Sequence, residues 1–392
     1  MTGGEGGADG AAPGYDLGAW RARIPLLRRA IPLNNCSQAP QTTATRAAAE
    51  AYLDSWDRTG MDWEAWLGEV DAARAEFAGL IGARPEDVAV TTSVSAATAS
   101  FASALDWSGG RDGVAVTEAE FPTVGHVWLA QRRHGARVAR VPLGDDGVIE
   151  PDAYDDAVDD RTLVVSACHA HYRNGFVQDL REVAERVHAR GALLFVDAYQ
   201  SLGTVPVDVE HAGVDALTSG CLKYLLGVPG LAFLYVRPGL AERLRPTVTG
   251  WLGQDEEAMF DARRLSPRPA AARFDTGTPP VANAYICRAG MRIIREVGPE
   301  RIRAWTRLLS GRLVEGGEAR GLDPLGPRDP DRRTPLTAFD CGDTAPERVE
   351  AELRRRGVIA SARGRAIRLA PHFYNTVDEI DAALDALAEV LG

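Results

Sequence analysis

The 392-residue sequence predicts an α/β fold: a large domain whose mainly parallel sheet is flanked by helices, then a small C-terminal α+β domain. Three observations carry this expectation. Short β-branched runs alternate with helical patterns between residues 88 and 197. The pattern then loses regularity from Gln254 to Arg268, with acidic residues followed by arginine and proline. Beyond that break long helices come first and short strands later, which is the order of a separate, smaller unit.

The elements follow in chain order. Residues 1–13, rich in glycine and alanine, read as a flexible tail. Ala47 to Trp56 and Glu64 to Ile81 space apolar residues three and four apart, as helices do, and Gly82 followed by Pro85 stops the second. Val88 to Thr92 is a strand, and the Ala- and Ser-rich run Ser93 to Ala104 is a closely packed helix. Strands at 113–117, 136–142, 162–167 and 192–197 alternate with helices at 123–133, 151–158 and 177–190. Further short strands cover 216–219 and 232–236, and the large domain is expected to span 14–262. In the expected small domain, 263–392, a linking helix at 281–297 leads past Pro299 into a second helix. Strands at 336–339, 358–361 and 366–369 and helices at 345–356 and 377–391 complete it. In a sheet of this kind ligands bind at the carboxyl ends of the strands.

Composition narrows the function. A formal charge of −11 argues against binding a phosphate backbone, so no nucleic-acid partner is expected. No run of 18 apolar residues suggests a membrane span, and no signal-peptide pattern opens the chain. Five scattered cysteines without a CxxC pair suit a reducing cytoplasm. His169 and His171, two residues apart, would face one side if they sit at a strand end, but no carboxylate cluster completes a metal site.

One constellation carries chemistry. Lys223 sits in the small-residue turn Thr218-Ser219-Gly220-Cys221-Leu222-Lys223, in a chain where arginine supplies nearly all positive charge. Asp197 ends the strand Phe195-Val196-Asp197, 26 residues earlier. An amine that forms a Schiff base and a carboxylate that pairs with a pyridinium nitrogen are what pyridoxal 5′-phosphate chemistry requires. In this order the two resemble fold type I enzymes dependent on that cofactor. The match is to the class V aminotransferase group of cysteine desulfurases, selenocysteine lyases, kynureninases and isopenicillin N epimerase-like proteins.

The resemblance runs from about Leu33 to Leu391 and implies roles for further residues. Gln200 completes the Asp-x-x-Gln pattern that brings an amide to the cofactor's phenolic oxygen. Ser95 and Ala96 occupy the phosphate positions at a helix N-terminus. Phe121, in Glu120-Phe121-Pro122-Thr123, fits the ring-stacking position. Tyr172 takes the place of the desulfurases' asparagine, and Ser219 joins the cofactor contacts. Trp251 and Thr278, in Gly250-Trp251 and Gly277-Thr278-Pro279, would reach the partner's cofactor in a homodimer with shared sites. Arg368, six residues before Tyr374-Asn375-Thr376, would fork the substrate carboxylate, with Asn35 as a second substrate contact.

The chain also departs from its relatives. Desulfurases carry a persulfide-forming cysteine on a loop before the substrate arginine, and Val358 to Arg368 contains none. Leu222 precedes the lysine where histidine or tyrosine is usual. The expectation is a cytoplasmic homodimer that eliminates a leaving group from Cβ of an L-amino acid or cysteine conjugate, a carbon–sulfur lyase. Transamination is the runner-up; kynureninase-like hydrolysis and decarboxylating deamination use the same residues. A cofactor-binding regulator without turnover would need a DNA-binding or partner module, which the sequence does not supply.

Overall fold

The computed structural model describes residues 12–392, so the expected tail falls, up to residue 11, outside the described residues. The chain begins with α1 (Leu17–Ala22), the short strand β1 (Ile31–Pro32), α2 (Thr43–Thr59) and α3 (Trp63–Leu80). A reciprocal cap starts α2: each of Thr42 and Thr45 accepts the other's backbone N–H at 3.0 Å.

The alternating region follows as β2 (Val88–Thr91), α4 (Val94–Ser103), β3 (Gly113–Thr117), α5 (Pro122–Ala130), β4 (Arg137–Val141), α6 (Asp152–Ala157), β5 (Thr162–Cys168), α7 (Leu180–Ala189), β6 (Leu193–Asp197), β7 (Ala216–Gly220) and β8 (Ala232–Val236). Its seven strands lie in the order β2-β8-β7-β6-β5-β3-β4. Only β8 runs against the others, pairing antiparallel with β7 and β2. The chain has a physical reason for this. A parallel return needs a crossover of a dozen or more residues, and only the turn bearing Lys223 separates β7 from β8.

Helices cover both faces, so the central strands bury both sets of side chains. Phe77 stacks on Phe233 at 4.4 Å on one face, and Phe101 and Trp128 meet Phe195 at 5.2 and 5.6 Å on the other. The helix expected from residue 177 begins at Leu180. Val177 instead bridges Ala170, and Asp179 caps the helix by accepting from Arg181 N and Glu182 N.

The remainder comprises α8 (Val281–Val297), α9 (Pro299–Glu318), β9 (Pro324–Leu325), β10 (Thr337–Asp340), α10 (Pro346–Arg355), β11 (Val358–Ile359), β12 (Ser361–Arg363), β13 (Ala366–Leu369) and α11 (Val377–Leu391). The linking helix α8 packs on α2 and α3, with Tyr285 against Tyr52 at 5.7 Å and an Arg295–Glu76 ion pair at 2.6 Å. The strand expected over 358–361 divides in two because it serves two partners. Val358–Ile359 runs parallel to β1, whereas Ser361–Arg363 folds onto β13 in a second sheet ordered β12-β13-β10-β9. Through β1 the N-terminal segment is sewn to the C-terminal unit: Tyr15 Oη donates to Phe373 O, and Arg21 to Tyr374 O, both at 2.6 Å. Among the described residues no helix is long and apolar enough to cross a membrane.

Candidate active site

Asp197 and Lys223 meet because their strands are neighbours. β6 pairs in parallel with β7, Asp197 opposite Thr218, so the residue ending β6 and the turn leaving β7 open into one crevice. Lys223 is the only lysine in the sequence. Its Nζ lies 4.1 Å from the ring centre of Tyr199 and 5.8 Å from that of Phe121. Burial lowers its pKa from 10.5 to about 8, against the upward pull of Asp197. Burial likewise raises the Asp197 carboxyl, while Lys223 and the Tyr199 N–H, which donates to Oδ1 at 2.8 Å, draw it back. Two local constraints hold the turn. A Cβ on Gly220 would stand 2.4 Å from the Tyr199 ring, and Leu226 adopts a left-handed backbone at φ 58°, unusual for leucine.

These residues floor a cavity of about 390 Å³. At one end α4 presents its N-terminus, with Thr92, Ser93 and Ser95 lining the wall. First-turn N–H groups have no acceptor within their own helix, and the helix dipole makes this end positive. Ala96, expected beside a phosphate, instead gives its N–H to the capping Ser93 Oγ at 3.1 Å and does not line the cavity. Phe121 stands at the lip, 39% exposed, edge-to-face with Tyr172 at 5.1 Å. Arg368, 1% exposed, enters from β13. Its Nη1 donates to Tyr172 O at 2.7 Å and its Nη2 to Ser37 Oγ and Ser361 Oγ at 3.0 and 2.9 Å, while Nε is buried without a partner. Gln200 Nε2 donates to Cys36 O at 3.0 Å and leaves Oε1 orphaned.

Four further expected residues stand outside this cavity. Asn35 spends its amide on Ala370 O and the Tyr374 hydroxyl, which makes it a strut rather than a cavity wall. Ser219 is 1% exposed, turns its hydroxyl to Gly220 O and also stands outside the lining. Trp251 stacks between Trp63 and Phe260, at 5.9 and 5.6 Å. Thr278 lines a separate cleft of about 100 Å³, to which Thr92 contributes as well. His169 and His171 are buried, with pKa values lowered to about 4 chiefly by desolvation, and so are neutral.

Sequence reasoning missed several neighbours. Ser37 and Ser361 anchor Arg368 from opposite ends of the chain, a pairing that spacing does not reveal. The Cys36 thiol lines the cavity 3.5 Å from Ser361 Oγ, although no cysteine lies on the 358–368 segment itself. Glu120 is a second buried carboxylate, Oε1 accepting from Ser166 Oγ at 2.8 Å and Oε2 unpaired. Burial and the charge of Asp197 hold its pKa well above the usual range. Tyr199 was legible only as a letter inside the Asp-x-x-Gln pattern.

The donor set fits pyridoxal 5′-phosphate: an amine for its aldehyde, a carboxylate for its ring nitrogen, and a helix N-terminus with hydroxyls for its phosphate. The orphaned Arg368 Nε and Gln200 Oε1 are buried polar atoms of the kind a bound group satisfies.

Comparison with known proteins agrees. A family model described as aminotransferase class-V matches residues 49–382. An uncharacterized aminotransferase of Bacillus subtilis, YcbU, is 37% identical over 94% of this chain and 96% of its own. A kynureninase of Pseudomonas fluorescens is 27% identical over 96% of this chain and 92% of its own. Among solved structures, the apo cysteine desulfurase of Thermococcus onnurineus has the same fold, with a TM-score of 0.86 at 22% identity over 95% of this chain and 98% of that one. The chain is an enzyme of the class V aminotransferase family, and pyridoxal 5′-phosphate is its cofactor.

Proposed function

We propose that the enzyme is a carbon–sulfur lyase that eliminates a thiol from Cβ of an L-cysteine conjugate. The observation that carries this reading is the lip beside Arg368. β12 and β13 are joined by only Gly364 and Arg365, so a tight hairpin stands where a thiol-bearing loop would otherwise sit. When bound, the cofactor supplies an electron sink that acidifies the Cα–H of an amino acid joined to it. Asp197 then holds the negative charge facing the ring nitrogen. Arg368 fixes the α-carboxylate by its charge and its unpartnered Nε–H, while Tyr172, Ser37 and Ser361 hold the guanidinium in place. Lys223, its pKa lowered by burial to about 8, takes the Cα proton in its neutral form, which gains population as pH rises toward and past 8. The electron pair left behind forms the Cα=Cβ bond as Cβ–S breaks, and Lys223 returns its proton to the departing thiolate. Released 2-aminoacrylate hydrolyses to pyruvate and ammonia.

The test is product analysis with S-substituted cysteines. Thiol and pyruvate in equal amounts, without added reductant, are the expected result. Arg368→Ala should raise KM roughly 30- to 150-fold, the equivalent of about 2–3 kcal/mol for a lost charged contact. An oxo acid with the amino group retained on the cofactor would replace elimination by transamination, the activity named for the Bacillus relative. Cys36→Ser should leave thiol release intact; its loss would move the reading to sulfur transfer through that cavity thiol.

The same reading includes a homodimer with shared sites, acting in the cytoplasm. Supporting it are Phe260 and Leu265, 84% and 78% exposed on the segment that carries Trp251. Mixing Lys223→Ala with Thr278→Arg subunits should restore activity in the mixed dimer. Activity that never recovers while mixed dimers form would remove the sharing.

A further inference from the structure

The cavity is rich in cations. Its lining includes Lys223, Arg363 and Arg368, and Asp197 is its one acidic side chain among the described residues. Asp197 is committed to Lys223 and the cofactor's ring nitrogen, and the α-carboxylate falls to Arg368. The phosphate falls to the α4 N-terminus. Arg363 is left over.

Its position on the small sheet is specific. In the β12–β13 register Ser361 stands opposite Arg368 and Arg363 opposite Ala366. Side chains two apart share a face, so Arg363 and Arg368 are diagonal neighbours on one face, with backbones about 7–8 Å apart. Both line the cavity, Arg368 buried and Arg363 exposed at its mouth. Nearby arginines are paired: Arg365 with Asp340 at 2.8 Å and Arg356 with Glu352 at 3.3 Å. Arg363 has no acidic partner among the described residues. A surface arginine needs no partner, but one that lines a catalytic cavity beside a second guanidinium presents a two-point anion reader.

We propose that Arg363 selects substrates whose side chain carries a second acidic group, the α-carboxylate resting on Arg368 and the distal acid on Arg363. The substrate class is then an S-substituted cysteine whose substituent ends in a carboxylate. This rests on the reading of the cavity as an amino-acid site. It does not depend on which bond is broken.

The test compares S-carboxymethyl-L-cysteine with its neutral isostere, S-carbamoylmethyl-L-cysteine. Binding to the holoenzyme is followed by calorimetry at low temperature and, separately, turnover by thiol and pyruvate release. The carboxylate should bind about tenfold more tightly, an advantage that shrinks with added salt. Arg363→Ala should erase the ratio, Arg363→Lys should restore part of it, and Arg363→Glu should invert it. Equal binding of the two conjugates by the wild type would overturn the proposal. So would a preference that Arg363→Ala leaves unchanged, or a variant whose only defect is loss of cofactor. If the preference is present and no pyruvate forms, the elimination reading falls and the acidic side-chain reader stands. Turnover of both conjugates without preference leaves elimination standing and removes the reader.

Discussion

Lys223→Ala is expected to abolish covalent attachment of the cofactor and to lower turnover by roughly 10²- to 10⁴-fold through loss of the general base alone. Because Lys223 is the only lysine, the assignment is unusually clean. Borohydride reduction of the wild type should fix the cofactor on the peptide containing residue 223, and the variant should retain none. A label found elsewhere, for instance on the chain's α-amino group, would refute the role. The same residue sets a pH dependence. Only the neutral amine attacks an aldehyde, and Lys223 becomes neutral above about pH 8 rather than near 10.5. Cofactor capture by the apoprotein should therefore quicken as pH rises to about 8 and then level off. A rate still climbing tenfold per unit at pH 10 would show an amine titrating as free lysine does.

Asp197→Asn should keep the fold and lose most of the chemistry. The amide oxygen can still accept from Tyr199 N, so the end of β6 keeps its hydrogen bond. What disappears is the charge facing the ring nitrogen, and turnover should drop by roughly 10²-fold or more, as when a preorganised electrostatic partner is removed. A second readout separates this from simple damage. Asp197 raises the Lys223 pKa, so its neutralisation should move the capture profile to lower pH, below the wild-type value of about 8. Near-normal turnover with an unmoved profile would count decisively against the electrostatic role.

What the sequence disclosed and what it withheld divide along a physical line. Strand alternation, the Asp197–Lys223 spacing and the helix cap before Ser95 are local patterns, each written within a few dozen residues, and they were legible. The antiparallel β8 was not separately anticipated, although the shortness of its connection to β7 dictates it. The anchoring of Arg368 by Ser37 and Ser361 depends on a fold that joins positions 331 residues apart. Asn35 shows the reverse case. The resemblance implies a substrate contact, but its amide is engaged by Ala370 and Tyr374, whose proximity no spacing reveals. The Cys36 thiol reaches the cavity from a segment remote in sequence from residues 358–368, so no spacing reveals it.

The stitching of β1 to β11 has a consequence for how the enzyme comes into being. Ser37 is synthesised 331 residues ahead of its partner Arg368, and Ile31 is likewise made long before Val358. Until then the ribosome-bound chain holds an opened seam, and the entropy of closing so long a loop is still to be met. Such late, distant contacts slow folding and prolong exposure of unpaired strand edges. The arginines of β12 and β13 thus join the cavity only after the strands leading to Asp197 and Lys223 have been made. A nascent enzyme already equipped with its lysine and aspartate lacks this wall of the cavity until segments 331 residues apart have met.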